Sequence, residues 1–307
     1  MRELILIRTH FSCEATERLY HYLKQTSNRD VAFICDETNG VVDVGAGKAK
    51  IAVSARTVAE MGLHVPKNFG WLCGDYFLYA AAGLLGAYDR YWLIESDVRI
   101  GLESSADFFD RFDDGSVDVL AFHVFRAKDN WFWYKPMCFF EPEVHACLFP
   151  VVGASRRAID FAYAARRTMS ATHDRIVPPE ETRRWPNDES FLMSALMANG
   201  FRCANLDDVE VKYRTRQSFN FGLPKSDKRI GAQHPSGLFH HPVHSGERFV
   251  SKANAWLTTC IRNKPTKTGL AGAFDELFMS DMRAEASGAQ YAAFEARLLA
   301  AISDAPV

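Results

Sequence analysis

The chain has 307 residues, of which 48% are hydrophobic and 24% are charged, as is usual for a globular protein with a large buried core. Its 36 basic and 38 acidic residues give a formal net charge of −2. This balance excludes a global positive field that would attract nucleic acid or an anionic membrane, so any phosphate group must be bound by a local site.

The seven cysteines are scattered and form no CxxC pair, which argues against a zinc ribbon or a thioredoxin-type site. Most lie in apolar runs, where a free cysteine behaves as a small hydrophobic residue, and a reducing cytoplasm is the simplest expectation. The apolar run after Glu3 is too short for a signal peptide, and the longest apolar stretch, residues 77–87, is shorter than the ~20 residues of a spanning helix. We therefore expect a cytoplasmic protein without a transmembrane segment.

Strand and helix patterns alternate over the first part of the chain. Short, fully apolar runs predict strands buried on both faces, whereas amphipathic or Ala/Leu-rich runs predict helices. The predicted strands are residues 4–7, 31–35, 50–54, 91–94 and 117–123, and the predicted helices are residues 15–23, 57–61, 74–87 and 104–112. A strand–helix–strand opening favours a parallel sheet with right-handed crossovers, so the predicted fold class is α/β.

The second half of the chain has a more mixed pattern. It predicts a strand at residues 145–152, a helix at 155–169, a helix that begins at Asn187 or Asp188, and a half-buried strand at 209–213. Residues 218–246 are rich in Gly, Pro, Lys and His and are expected to form a long loop that is functional or mobile. Residues 272–302 predict a polar amphipathic helix.

Two carboxylates, Glu95 and Asp97, lie two residues apart directly after the predicted strand at 91–94. Ligands of an open parallel sheet bind at the carboxyl ends of its strands, and acidic side chains there can hold a hard divalent cation. Such a cation would neutralise a diphosphate and act as a Lewis acid toward the leaving group. A simple capping turn is the alternative, since acidic pairs at this spacing are common.

The run Tyr91-Trp92-Leu93-Ile94-Glu95-Ser96-Asp97-Val98 resembles the strand and DxD turn of GT-A glycosyltransferases, and the order of elements over residues 1–245 is similar as well. The resemblance implies a GT-A-like, Rossmann-type, mostly parallel central sheet flanked by helices, with a helical C-terminal extension. It implies a catalytic domain at 1–250, made of a nucleotide-binding half (1–125) and an acceptor and metal-completing half (126–250), and an extension at 251–307.

The same resemblance implies an activity and its cofactors. The expected enzyme uses Mn²⁺ or Mg²⁺ and moves a sugar from a nucleotide-sugar donor to a hydroxyl acceptor, in glycan or polysaccharide synthesis. The expected partners are the nucleotide-sugar and a glycan or other hydroxyl acceptor, with no nucleic acid, and peripheral membrane contact is left open.

The turn itself supplies the first implied site residues. By resemblance, Asp97 contacts the metal directly. Glu95 stands where the motif has Asp and is left open between the metal and a ribose hydroxyl, so we place Glu95 and Ser96 among the residues that bind the nucleotide-sugar.

A late histidine commonly completes the metal shell in this superfamily, and four histidines fall within eleven residues, at positions 234, 240, 241 and 244. Pro242 argues against a helix, and in an extended run His240 and His241 point to opposite sides. His241 is favoured as the metal ligand and His240 is the second choice. Ordinary polar contacts are the alternative.

Four more positions are assigned to binding of the nucleotide-sugar. Asp36 ends the second predicted strand, and Gly74 and Asp75 begin a predicted helix, where Gly permits close backbone approach and acidic charge suits the helix dipole. A strand-terminal turn and helix capping are the alternatives. Lys225, with the neighbouring residues Lys228 and Arg229, is expected to close over a diphosphate, or else to be a solvated charge.

Asp188 and Glu189 are the candidates for the catalytic base. By resemblance to inverting enzymes of the superfamily, a carboxylate at this helix start removes the proton of the acceptor hydroxyl, and Asp188 is preferred. Acidic enrichment of a helix N-terminus is the alternative. The aromatic run at residues 131–134 either packs into the core or offers a stacking platform to the acceptor.

Several other classes are weighed against this hypothesis. The sequence contains no GxxxxGK[ST], no GxGxxG after the first strand and no GxSxG, so P-loop, dinucleotide-binding and standard hydrolase enzymes are not supported. A nucleotidyltransferase or a metal-dependent phosphohydrolase on a similar sheet remains an alternative. A non-catalytic nucleotide-binding module and a scaffold without ligand remain as well.

Overall fold

The structure is a computed structural model that describes residues 1–86, 88–178, 184–263 and 265–306. The chain divides into two compact units. Unit 1 consists of Met1–Ser96 and Ser104–Val211, and unit 2 consists of Asp97–Glu103 and Lys212–Val307. The boundary predicted at residue 250 separates a catalytic domain from a C-terminal extension. The division into units does not test this assignment, so it stays a prediction.

The strands are numbered in chain order. They are β1 (Glu3–Thr9), β2 (Asp30–Asp36), β3 (Lys50–Val53), β4 (Arg90–Glu95), β5 (Arg99–Ile100), β6 (Val119–Arg126), β7 (His145–Ser155), β8 (Cys203–Asn205), β9 (Lys225–Ser226), β10 (Phe239–His240) and β11 (Val243–His244).

The helices follow the same numbering. They are α1 (Glu14–Thr26), α2 (Ala55–Glu60), α3 (Phe69–Leu72), α4 (Gly74–Leu84), α5 (Ala106–Phe109), α6 (Tyr134–Cys138), α7 (Arg156–Ile176), α8 (Asp188–Ala198), α9 (Asp227–Ala232), α10 (Gly246–Arg262), α11 (Lys267–Ala273), α12 (Glu276–Glu285) and α13 (Gly288–Asp304), with a 3₁₀ turn at Asp110–Phe112.

The described strands of unit 1 form one seven-stranded sheet in the order β3-β2-β1-β4-β7-β6-β8. Its strands pair in parallel except for β7, which runs antiparallel to β4 and β6. The predicted fold class, a mostly parallel α/β sheet flanked by helices with further helices at the C-terminal end, is therefore confirmed. The parallel pairing of β1 with β4 places Arg8 opposite Glu95 at the carboxyl ends of both strands.

Alternate residues of the central strands face two sides of the sheet, and each side is covered by helices. On one side Leu6 and Leu93 belong to the same core as Tyr76 of α4 and Phe191 of α8. On the other side the ring of Trp92 lies 5.5 Å from that of Phe108 in α5. Burial on both sides explains why these strands are continuous apolar runs in the sequence.

Unit 2 contains two short two-stranded sheets, β10 with β5 and β11 with β9. Its hydrophobic core is built by the helices from α10 onward and includes Phe249, Leu270, Phe278 and Phe294.

Three sequence predictions are corrected by the structure. Residues 209–213 form no strand; only Tyr213 is buried among them, and the last strand of the sheet is β8 instead. Residues 218–246 are not one loop, because they contain β9, α9, β10 and β11. The helix predicted at 272–302 is two helices, α12 and α13, and Ser287 caps the second of them.

The helix predicted at 74–87 is α4 and ends at Leu84, and Ala87 lies outside the described residues. No helix in the described part of the chain combines the length and apolar character needed to cross a bilayer.

Candidate functional site

The end of β4 carries an ion pair with the neighbouring strand. Because Arg8 of β1 lies opposite Glu95 in the register, its guanidinium reaches the Glu95 carboxylate and forms an ion pair. The Ser96 N–H donates to the Arg8 carbonyl oxygen at 3.0 Å, so the chain keeps its β1 contact past the end of the strand. The negative charge of Glu95 is therefore balanced within unit 1.

Asp188 is the first residue of α8 and is only 3% exposed. The Asn187 side chain caps the helix by accepting from the Ser190 N–H at 3.1 Å. Asp188 Oδ2 accepts from the Gly74 N–H at 2.7 Å and lies 3.8 Å from Arg8 Nη1. Its second oxygen, Oδ1, accepts from the Glu189 N–H at 2.8 Å.

The Asp188 carboxyl therefore sits at the N-terminus of α4, where backbone N–H groups point outward and favour a negative charge. Burial nevertheless raises the pKa of Asp188 to about 7, against the lowering effects of Arg8 and the Gly74 N–H. Burial also raises the pKa of Glu189 well above its usual range, and the Asp188 charge adds to that rise. An acid with a pKa near 7 is suited to accept a proton at neutral pH.

Position 74 requires a glycine, because neighbouring side chains occupy the space that a Cβ atom would take. A Cβ atom at this position would overlap with the Arg8 guanidinium and would lie 2.7 Å from both Asp188 Oδ2 and the Phe149 ring. Gly74 permits a close approach to its backbone by Asp188 of the same chain, and its role in nucleotide-sugar binding stays a prediction.

Asp75 belongs to an internal hydrogen-bond network, and its role in nucleotide-sugar binding stays a prediction. The side chain is fully buried. Its Oδ2 accepts from Arg166 Nε at 2.7 Å and from the Tyr79 hydroxyl at 2.8 Å, and Oδ1 accepts from Arg166 Nη2 at 3.3 Å. Since Arg166 Nη1 also donates to the Pro186 carbonyl oxygen at 2.9 Å, this network fixes the chain just before α8.

A cavity of about 440 Å³ opens at the carboxyl ends of β1 and β2. Its lining includes His10 and Phe11 from the β1–α1 connection, Asp36 at the end of β2 and Val41 from the chain that follows. The Asp36 carboxylate accepts from the Thr38 N–H at 3.0 Å and lies against α3, where a Cβ at Gly70 would overlap with it. The structure thus places Asp36 on a cavity of the size that small ligands occupy, and His10 and Phe11 were not singled out by the sequence.

The aromatic run at residues 131–134 divides between core and surface. Trp131 and Tyr134 pack against the main core of unit 1. Phe132 is 59% exposed, and its ring lies 4.7 Å from that of Trp133. Trp131 and Tyr134 therefore follow the packing alternative, and a stacking platform stays a prediction for Phe132 and Trp133.

Asp97 lies beside two histidines of unit 2. Its Oδ1 is 3.5 Å from His241 Nε2, and its Oδ2 is 3.8 Å from His244 Nε2. The ligand atoms that Asp97 and His241 can offer to a metal lie within 4.8 Å of each other. The Val243 N–H donates to the Asp97 carbonyl oxygen at 2.8 Å and holds the histidine segment against it.

The ring geometry suits metal binding. The other ring nitrogen of His241, Nδ1, is 2.9 Å from the Asn220 carbonyl oxygen, which orients the ring and leaves Nε2 toward Asp97. Burial lowers the pKa of His244 to about 3, so this ring is neutral at physiological pH, as a metal ligand must be. His244 was part of the histidine cluster noted in the sequence but was not chosen, because nothing in the sequence shows that it reaches Asp97.

His240, the second choice as a metal ligand, makes a different contact, and its role stays a prediction. It lies on β10, where it pairs with Arg99 of β5, and its Nε2 is 2.8 Å from the Ser236 hydroxyl. Burial lowers its pKa to about 4. The opposite orientation of neighbouring residues in an extended chain, which favoured His241 over His240, explains the difference.

Lys225 is a buried lysine with hydrogen bonds inside unit 2, and its contact with a diphosphate stays a prediction. Its Nζ donates to the His241 carbonyl oxygen at 2.7 Å and to Asn220 Oδ1 at 3.3 Å. Burial lowers its pKa to about 8. Arg229 is paired with Asp281 at 2.6 Å, also within unit 2.

Comparison with known proteins finds similarity among solved structures. No protein-family model and no curated protein matches the chain. The chain is similar to a glycosyltransferase involved in the glycosylation of the major capsid of PBCV-1, at 12% identity over 84% of this chain and 100% of that chain. The TM-score is 0.37, which is too low to support a functional argument.

Proposed function

We propose that the chain is a metal-dependent glycosyltransferase that moves a sugar from a nucleotide-sugar donor to a hydroxyl acceptor. The observation that carries the proposal is the pairing of Asp97, in the turn after β4, with His241 and His244. A carboxylate with two imidazoles is a set of divalent-cation ligands, and such an ion is what a diphosphate leaving group requires.

The donor set favours Mn²⁺ over Mg²⁺ as the cofactor. Mg²⁺ prefers oxygen ligands and gives up its waters reluctantly, whereas imidazole nitrogen suits the transition metals. Asp97 would supply the oxygen, and His241 and His244 would supply the nitrogens. When bound, the ion would neutralise the diphosphate of the donor and of the departing nucleotide.

The cavity beside Asp36 is proposed to hold the nucleoside part of the donor. It lies at the carboxyl ends of parallel strands, where ligands of such sheets bind. Phe11 and His10 would offer ring faces to the base, and the Asp36 carboxylate would accept hydrogen bonds from ribose hydroxyls. Glu95 is proposed only as a charge partner of Arg8 that shapes this end of the sheet.

Asp188 is proposed as the general base. Its carboxylate would take the proton of the acceptor hydroxyl as that oxygen forms its bond to the anomeric carbon, while the bond from that carbon to the diphosphate breaks. The Gly74 N–H and Arg8 hold the carboxylate in one orientation throughout. Glu189, hydrogen-bonded to Asn187 Nδ2 at 3.3 Å, is the second choice.

The proposal extends to the setting of the reaction. Repeated transfer of sugars to hydroxyl groups is the step that builds glycans and polysaccharides, so we place the chain in such a synthesis. The seven cysteines are free thiols, which suits a reducing compartment such as the cytoplasm.

The test is product analysis with a panel of nucleotide-sugars, simple glycosides as acceptors, and Mn²⁺. The proposal predicts release of a nucleoside diphosphate that requires the metal and is lost in Asp97→Ala. Release of pyrophosphate would instead favour a nucleotidyltransferase, and release of inorganic phosphate would favour a phosphohydrolase. Tight nucleotide binding without any product would favour a binding module.

A further inference from the structure

We infer that Trp71, Phe132 and Trp133 form a carbohydrate-binding platform that holds a sugar ring of the acceptor beside Asp188. The inference rests on the proposed function and names the chemistry of the acceptor. We call these three residues the aromatic platform.

The rings of the aromatic platform are adjacent; Trp71 and Phe132 are exposed, and Trp133 between them is half-buried. Trp71 is 67% exposed and Phe132 is 59% exposed. The centroids of the Trp71 and Trp133 rings are 6.0 Å apart with an interplanar angle of 56°, and the Phe132 and Trp133 rings meet edge to face. Two indole faces set at an angle make a corner rather than a flat surface.

These rings are left outside the core although their neighbours in the chain are packed against it. Trp131 and Tyr134, which flank Phe132 and Trp133, pack against the main core, and so does Leu72 next to Trp71. Large apolar side chains left in water lose the free energy that burial would provide. A cluster of such rings is therefore expected to be covered by a ligand.

The platform is continuous with the proposed site through one short segment of chain. Within α3, Gly70 lies against the Asp36 carboxylate of the cavity, and Trp71 follows it directly. Three residues later, Gly74 donates its N–H to Asp188. Three residues span at most about 11 Å, so the Trp71 backbone lies within that distance of Gly74.

The chemistry around the rings favours a sugar over a membrane surface. Lys128, Asp129 and Asn130 are exposed directly before the aromatic run, and the Arg184 guanidinium lies 4.7 Å from the Phe132 ring centroid. Side chains of both charges and an amide can form hydrogen bonds with hydroxyl groups. A surface that binds an anionic membrane would instead carry a cluster of basic residues alone. A sugar ring has an apolar C–H face for an indole and hydroxyls for these polar groups.

The experiment measures binding of free oligosaccharides by saturation-transfer NMR. The full-length protein is mixed in turn with di- to tetrasaccharides of glucose, galactose, mannose, rhamnose and N-acetylglucosamine. We expect ring protons of at least one series to be saturated, and Trp71→Ala and Trp133→Ala each to weaken that binding about tenfold. Trp71→Phe, which keeps a ring, should lose less than Trp71→Ala.

The control is Leu84→Ala, which removes an equally exposed apolar side chain of unit 1 (66% exposed) away from the platform and should bind sugar as the wild type does. Nucleoside diphosphate binding, followed by thermal shift, should be unchanged in Trp71→Ala.

Three results would overturn the inference. They are the absence of binding by every oligosaccharide, equal binding by Trp71→Ala and the wild type, and sedimentation with phosphatidylglycerol vesicles that requires Trp71. If nucleotide binding persists in any of these cases, the platform is refuted while the proposed function stands.

Discussion

Asp188 is the residue whose chemistry the proposal uses most directly. In Asp188→Asn the side chain keeps its size but cannot accept the proton, so we expect transferase turnover to fall by about 10²- to 10⁴-fold. In the wild type, kcat/KM should rise with pH through about 7, because the base must be ionised and burial raises its pKa to about 7. Binding of the nucleoside diphosphate should change little. The control is Asp160→Asn, an exposed partner of Arg156, and full turnover by Asp188→Asn would contradict the assignment.

The same raised pKa has a consequence for stability. In the folded state the Asp188 carboxyl keeps its proton up to about pH 7, whereas in the unfolded chain an aspartate loses its proton near pH 4. Between these values the folded state binds more protons than the unfolded state, so stability falls as pH rises from about 4 to about 7. Glu189, whose pKa is raised as well, acts in the same direction.

We therefore expect Asp188→Asn to reduce this loss of stability, by roughly 2–4 kcal/mol between pH 5 and pH 8. The measurement is urea unfolding of the wild type and the variant at both pH values. The same loss in both proteins would show that Asp188 is ionised in the folded state at every pH.

Gly74 and Gly83 make a matched pair on α4. A Cβ at Gly74 would overlap with the Arg8 guanidinium and crowd Asp188, so Gly74→Ala should lower the free energy of unfolding by about 1–3 kcal/mol and impair turnover. A Cβ at Gly83 would meet nothing within 4 Å, so Gly83→Ala should stabilise the helix by about 0.5–1 kcal/mol. Urea unfolding of the two variants checks both signs, and equal effects would refute the close packing around Gly74.

At the level of elements, Glu285 at the end of α12 accepts hydrogen bonds from the strand beside β11 and from the chain that follows β11. His244 lies on β11. Glu285 Oε1 accepts from the Ser226 hydroxyl of β9 at 2.6 Å, and its Oε2 accepts from the Gly246 N–H at 2.8 Å. Ser226 in turn pairs with His244 between the two strands. The position of His244 therefore depends on a helix that begins about thirty residues later in the chain.

Glu285→Ala leaves these donors without their acceptor, and we expect a loss of roughly 2–5 kcal/mol in stability, with weaker Mn²⁺ binding. Glu276→Ala, at the exposed start of the same helix, should cost less than about 1 kcal/mol and leave Mn²⁺ binding unchanged. Urea unfolding and Mn²⁺ titration of both variants make the comparison. Unchanged Mn²⁺ binding in a folded Glu285→Ala would show that β11 keeps its position without α12.

Elements with strong periodicity were predictable from the sequence. The apolar runs of β1, β2 and β4 and the Asn187 cap of α8 are local signals, and each predicts its element. The short strands β9, β10 and β11 have two residues each, so no period can be read from them, and they are held by tertiary bonds such as that from Glu285 to Ser226. The prediction of a strand at 209–213 was wrong. Residues of this segment alternate in polarity, but their apolar side chains do not line up in a core.

The candidate site was predictable only in part for the same reason. The sequence places Asp97 just after a strand and Asp188 at the start of a helix, and both are positions where site residues are expected. It does not show that Arg8 pairs with Glu95 and approaches Asp188, because that depends on the register of β1 and β4. Nor does the sequence show that His240 contacts Ser236 whereas His241 and His244 lie beside Asp97. These contacts depend on the fold of unit 2.

At the scale of the whole molecule, the proposal assigns different tasks to the two units. Unit 1 contains the cavity beside Asp36, the base Asp188 and the aromatic platform, whereas unit 2 contains the metal ligands. Because the proposed donor carries both a nucleoside and a diphosphate, nucleotide binding and metal binding are expected to depend on each other.

The measurement is a thermal-shift panel of nucleoside diphosphates, each with and without Mn²⁺, on the wild type and three variants. Binding to the folded state raises the melting temperature by mass action. We predict a shift with one nucleotide that requires Mn²⁺, is lost in Asp97→Ala, is reduced in His244→Ala and is retained in His240→Ala. No shift with any nucleotide at millimolar concentration, or an unchanged Mn²⁺-dependent shift in Asp97→Ala, would contradict the account.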